Sequence, residues 1–135
     1  IWFFTLPLIL FSTLITLISL LICSASFSNL VFNAIHYTKP GGKIVVDWQL
    51  KNNQAAFSVT DNGDGIAAEH INRLTERFYR VDSARSRQTG GTGLGLAIVK
   101  HVLMQHGAHL EISSKENEGS TFTAVFPKER LYRIG

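Results

Sequence analysis

No Asp, Glu, Lys or Arg occurs before Lys39, and this one-sided distribution of charge limits what the chain can fold into more than any other feature. All 13 basic and 10 acidic residues fall in residues 39–135, where they form about one residue in four, the ordinary share of a soluble domain. Residues 1–23 are mostly Leu, Ile and Phe, with Ser, Thr and a single Pro7 between them. As a helix rising about 1.5 Å per residue, such a run reaches across a hydrocarbon layer about 30 Å thick. Burial as a core helix or strand pair is the other reading, and composition favours the membrane span. The run lacks the basic start of a secretory signal. The length of 135 residues suits one domain with one core, and the lone Cys23 can form no internal bridge, which fits a reducing compartment.

The charged part carries clear punctuation. Residues 28–38 have helical spacing in Leu30, Val31, Ala34, Ile35 and Thr38, and Lys39-Pro40-Gly41-Gly42 stops the helix. Residues 43–50 alternate, placing Ile44, Val46, Trp48 and Leu50 on one strand face, and residues 55–60 repeat the pattern across a Lys51-Asn52-Asn53-Gln54 turn. Residues 67–76 have helical character, and residues 93–106 predict a second strong helix that Gly107 caps. Leu110 with Ile112, and Phe122 with Ala124, Val125 and Phe126, supply two more strands. This irregular alternation predicts an α+β layer with helices on one face of a sheet.

The net charge of +3 is local. Five arginines between Arg73 and Arg87 face only Glu76 and Asp82, and the remainder of the chain sums to zero. Arginine grips phosphate oxygens with a planar pair of donors. The confinement of the charge to one segment beside glycines suits a small polyphosphate better than nucleic acid, which is not expected as a partner. Gly91-Thr92-Gly93-Leu94-Gly95-Leu96 opens directly into the helix that follows, where bare backbone and a helix N-terminus attract anions. The spacing fits neither a P-loop nor G-x-G-x-x-G. Asp61-Asn62-Gly63-Asp64-Gly65 is not a calcium loop, since Gly63 stands where the third-position oxygen ligand is needed and Asn72 where the bidentate Glu belongs; taken alone it reads as a turn. Asn29 and Asn33 share a helix face and offer amide oxygens to a hard cation such as Mg²⁺. His101, His106 and His109 lack the partners that zinc requires.

In order, Asn29 to Thr38, Asp61-x-Gly63-x-Gly65, Glu76 to Asp82 and Gly91 to Leu96 resemble the N, G1, F and G2 boxes of sensor histidine kinases. Residues 75–101 are most similar to the phosphate-regulon sensor kinases. The resemblance implies a two-layer α/β sandwich of the histidine-kinase and Hsp90-like ATPase type, with a mixed sheet, binding ATP and Mg²⁺. It implies that Asp61 receives the adenine amino group, with Gly63, Gly65 and Ile66 beside the ring. Asn33, helped by Asn29, would hold Mg²⁺, with His36 and Tyr37 flanking the nucleotide. Arg80, Arg85, Arg87 and Gln88 would belong to a mobile lid anchored by Phe78, and Asn33, Arg80, Arg85 and Arg87 would serve phosphoryl transfer. Thr89, Gly91, Thr92, Gly93, Leu94, Gly95 and Leu96 would form the lid hinge and phosphate end.

The phosphorylated histidine of such kinases sits on a separate dimerisation domain, and no histidine here has its neighbours. That domain and a response regulator are the partners implied. Residues 24–135 are therefore expected to be the ATP-binding domain. Residues 1–23 are expected to be a transmembrane segment or a piece foreign to it, from a shifted frame or truncated gene, leaving the sheet short of an edge strand. The expected location is the inner membrane with the domain in the cytoplasm, or the cytoplasm alone if the head is foreign. The competing readings are a chaperone or topoisomerase module of the same fold and an inactive remnant acting through its apolar head.

Overall fold

The computed structural model describes residues 2–81 and 91–128. It begins with one unbroken helix, α1 (Trp2–Tyr37), longer than the 28–38 segment marked by periodicity. Residues 2–37 contain no glycine, the single Pro7 lies near the helix start, and several of the hydroxyls are satisfied locally. Thr13, Thr16, Ser24, Ser26 and Ser28 each donate to a carbonyl three or four residues earlier. The helix stops at Thr38, whose N–H and hydroxyl both return to the Ala34 carbonyl, before Gly41 turns the chain at φ 83°. Within Ser12–Tyr37 the helix is long and apolar enough to cross a membrane. Its two halves differ. Ser26, Leu30 and Ala34, four residues apart, are buried against the domain, whereas Leu14, Leu17 and Leu21 are exposed.

Then come β1 (Ile44–Lys51), β2 (Gln54–Asp61), the short α2 (Ala68–Ile71), α3 (Gly95–Gln105), β3 (His109–Lys115) and β4 (Gly119–Phe126). The sheet order is β1-β2-β4-β3, and every described pairing is antiparallel, where a mixed sheet was expected. The hairpins allow this: Asn52 and Asn53, at φ 53° and 60°, make the left-handed two-residue turn that matches strand twist. The helical character of residues 67–76 reduces to the single turn of α2 followed by turns. α3 ends as the sequence predicts. Gly107 takes φ 69°, its N–H bonds the Met104 carbonyl, and the Ala108 N–H bonds that of Leu103, closing a Schellman motif.

α1 and α3 pack together on one layer, and Leu30, Ala34, Val99 and Leu103 meet Val59, Phe122 and Ala124 from the sheet. The architecture is thus α+β in two layers. The apolar face expected of β1 is only partly covered. The Trp48 ring meets Phe27, Phe57 and Phe126 at centroid distances of 6.1, 6.0 and 6.1 Å, yet Val46 and Leu50 are exposed because β1 is an edge strand at the margin of the helical layer.

Candidate nucleotide site

One cavity of about 620 Å³ gathers residues from all four sequence boxes. One wall is the lower half of α1. The i, i+4 and i+7 spacing of Asn29, Asn33 and His36 puts them on one stripe of the helix, and Phe32 and Tyr37 flank it. The G1 turn supplies Asp64, Gly65 and Ile66. It is held by the Ser114 hydroxyl, which accepts the Ile66 N–H at 2.8 Å and lies 2.8 Å from the Ser120 hydroxyl. Lys39 pairs with Asp64 at 3.0 Å, tying the turn to the end of α1.

The far side is built from Tyr79, Arg80 and Val81 of the F box and from Gly91, Thr92, Gly93, Gly95 and Leu96 of the second glycine turn. These two segments are clamped. The Phe78 N–H donates to the Gly93 carbonyl at 3.0 Å, and a Cβ at Gly93 would stand 2.9 Å from the Phe78 carbonyl carbon. Gly93, at φ 71°, is therefore fixed as glycine by both conformation and space. Arg80 Nη2 is buried, and among the described residues nothing accepts its proton. An ionised donor left so costs at least about 1–3 kcal/mol, which an anionic oxygen in the cavity would recover.

Some expected residues stand elsewhere. Asp61 does not line the cavity. It is 5% exposed, beneath the G1 turn, and its Oδ1 accepts the Gly63 N–H at 2.8 Å. Gly63 and Gly65 are glycines for reasons internal to the chain: a Cβ would overlap the Tyr37 carbonyl at the first and the Lys115 carbonyl at the second. Phe78, at φ 66° and 71% exposed, and Leu94 also lie off the cavity wall. Arg85, Arg87, Gln88 and Thr89 lie outside the described residues.

Sequence reasoning missed Glu116 and Asn117, which reach the cavity from the β3–β4 turn because the Asn117 N–H donates to the Asp64 carbonyl at 2.7 Å. It missed His70 and Leu74 as well, together with Tyr79 as a lining residue. Asn117 takes φ 63°, which Asn is among the few residues to accept, so the Asn117-Glu118-Gly119 run was the one local hint.

A two-layer α+β fold with one cavity joining a polar helix stripe to two glycine turns defines a nucleotide-binding ATPase class. The chain belongs to the histidine kinase-, DNA gyrase B- and HSP90-like ATPase family, whose model matches residues 24–130. Among its relatives it is 59% identical over 102 residues to the phosphate regulon sensor protein PhoR of Pseudomonas aeruginosa, covering 76% of this chain and 23% of the relative. It is 50% identical over 104 residues to the PhoR protein of Haemophilus influenzae, covering 77% and 24%. The chain thus spans about a quarter of the length of these relatives. Among solved structures, a mycobacterial sensor histidine kinase, MprB, superposes with TM-score 0.69 at 34% identity, covering 76% of this chain and 70% of that one.

Proposed function

We propose that this chain is the catalytic ATP-binding unit of a two-component sensor histidine kinase. It would present Mg²⁺·ATP to a histidine on a dimerisation domain outside residues 1–135. The observation that carries the reading is the convergence of four separated sequence boxes on one cavity of about 620 Å³. Arg80 Nη2, beside Gly91 and without an acceptor among the described residues, supports an anion at that end. An inactive remnant is not favoured, since the family match extends across residues 24–130.

Phosphoryl transfer passes through a loose transition state, so the protein's work is positioning and neutralisation of charge. Asn29 and Asn33 offer neutral amide oxygens, and among the described residues no three His, Cys, Asp or Glu side chains gather to hold a metal alone. That donor set suits a magnesium ion arriving with its triphosphate, whose oxygens and waters complete the coordination. Bound there, the ion would neutralise charge on the phosphates. Arg80 would hold a phosphate oxygen, and His36 and Tyr37 would border the nucleotide. Asp61 has one carboxylate oxygen engaged by Gly63, and we assign adenine recognition to its other oxygen. Arg85, Arg87 and Gln88 are assigned to a lid over the triphosphate. A response regulator would be the downstream partner, and the exposed upper half of α1 would hold the domain at the cytoplasmic face of the inner membrane.

Titration of the folded chain with MgAMP-PNP tests the reading. Binding is expected to need Mg²⁺, to weaken at least about tenfold in Asn33→Ala, the size of one charge-assisted contact, and to weaken in Asp61→Asn. Absence of binding by well-folded protein would overturn it.

A further inference from the structure

The described F box contains a contact that the nucleotide reading does not use. The Tyr79 hydroxyl and His70 Nδ1 are hydrogen-bonded at 2.5 Å, and the Arg73 guanidinium lies over the same ring, 4.2 Å from its centroid. Arg73 is itself steadied by Glu76, with Nε 3.3 Å from Oε2. The ring packs against the hydrophobic core, so Tyr79 is held from three sides.

What it holds is the phosphate end of the cavity. The Tyr79 carbonyl would stand 3.1 Å from a Cβ at Gly93, so its position sets how closely the F box lies on the second glycine turn. The next residue is Arg80, whose buried Nη2 has no acceptor among the described residues. An extended guanidinium side chain needs its base fixed, because lost rotamer freedom otherwise offsets what the contact gains.

We infer that His70 is a positioning residue, acting through the Tyr79 hydroxyl to hold Arg80 where a phosphate oxygen meets it. The inference rests on the proposed nucleotide reading and adds to it a residue from outside the four boxes. His70 lines the cavity but contributes by gripping Tyr79, and so it discriminates by phosphate content rather than by base.

The test is a paired titration of the whole chain with MgAMP-PNP and with adenosine. Tyr79→Phe removes only the hydroxyl and keeps the ring under Arg73. It and His70→Ala are each expected to weaken MgAMP-PNP about tenfold, the worth of one well-placed hydrogen bond, while adenosine stays within about twofold. His70→Asn, whose carboxamide can take the place of Nδ1, restores most of the loss. Equal losses for both ligands, or none, overturn the inference while the nucleotide reading stands. A wild-type chain that binds neither ligand overturns both. An independent measurement needs no variant: the His70 imidazole ¹⁵N resonances of the wild-type chain shift with MgAMP-PNP and not with adenosine, and identical responses to the two ligands refute the assignment.

Discussion

The two glycine turns that border the cavity use glycine for opposite reasons. In the first, Gly63 and Gly65 lie against the carbonyls of Tyr37 and Lys115, and Gly119 of the adjoining hairpin lies against that of Asp61, so the missing Cβ atoms are space already filled by the chain. In the second, among the described residues, a Cβ at Gly95 would meet nothing within 4 Å, and one at Gly91 the end of the Arg80 side chain at 3.4 Å. Gly93 is intermediate, clamped to the F box. The first turn is a structural joint between helix, strand and hairpin, whereas the second keeps its backbone bare on the side where a ligand would lie.

Substitutions can break this contrast. Gly65→Ala should cost most, more than about 3 kcal/mol in urea unfolding, because a left-handed backbone and an occupied site coincide. Wild-type stability in that variant would refute the joint. Gly93→Ala should cost about 2 kcal/mol from its left-handed conformation and the Phe78 contact, and should also weaken MgAMP-PNP. Asp61→Ala, which frees the Gly63 N–H, should cost about 1 kcal/mol, while Asp61→Asn retains an acceptor and should keep stability near wild type. Equal destabilisation by both would show that the carboxylate charge, not the hydrogen bond, holds the turn. Gly95→Ala should be the mildest, neutral or stabilising by up to about 1 kcal/mol in thermal unfolding, yet should reduce MgAMP-PNP affinity. Unchanged affinity there would argue that no phosphate approaches this backbone.

Most of the fold was legible where local chemistry decides it. The Asn52-Asn53 turn, the Gly107 cap and the Val99, Val102, Leu103 face of α3 follow from spacing and backbone preference. The length of α1 was not, since an apolar run signals equally a membrane span and a core helix, and only packing divides it at Ser26. The exposed Val46 and Leu50 mislead for a similar reason: alternation marks a strand face but cannot say whether a helix lies over it. At the site, the four boxes were readable because each keeps its pattern within a few residues. Asn117 arrives through a contact to Asp64, and His70 through one to Tyr79 nine residues on, and spacing encodes neither. Asp61 was expected to receive the adenine amino group; its Oδ1 is engaged by the Gly63 N–H beneath the turn, a detail that side-chain capping decides and composition does not.

One unbroken rod carries both the exposed leucines of residues 14–21 and the two carboxamides at Asn29 and Asn33. A shift of that rod by a single residue moves it about 1.5 Å and turns it about 100°. Both amides would then swing away from the cavity together, so whatever grips the upper end of the helix also sets the aim of the lower.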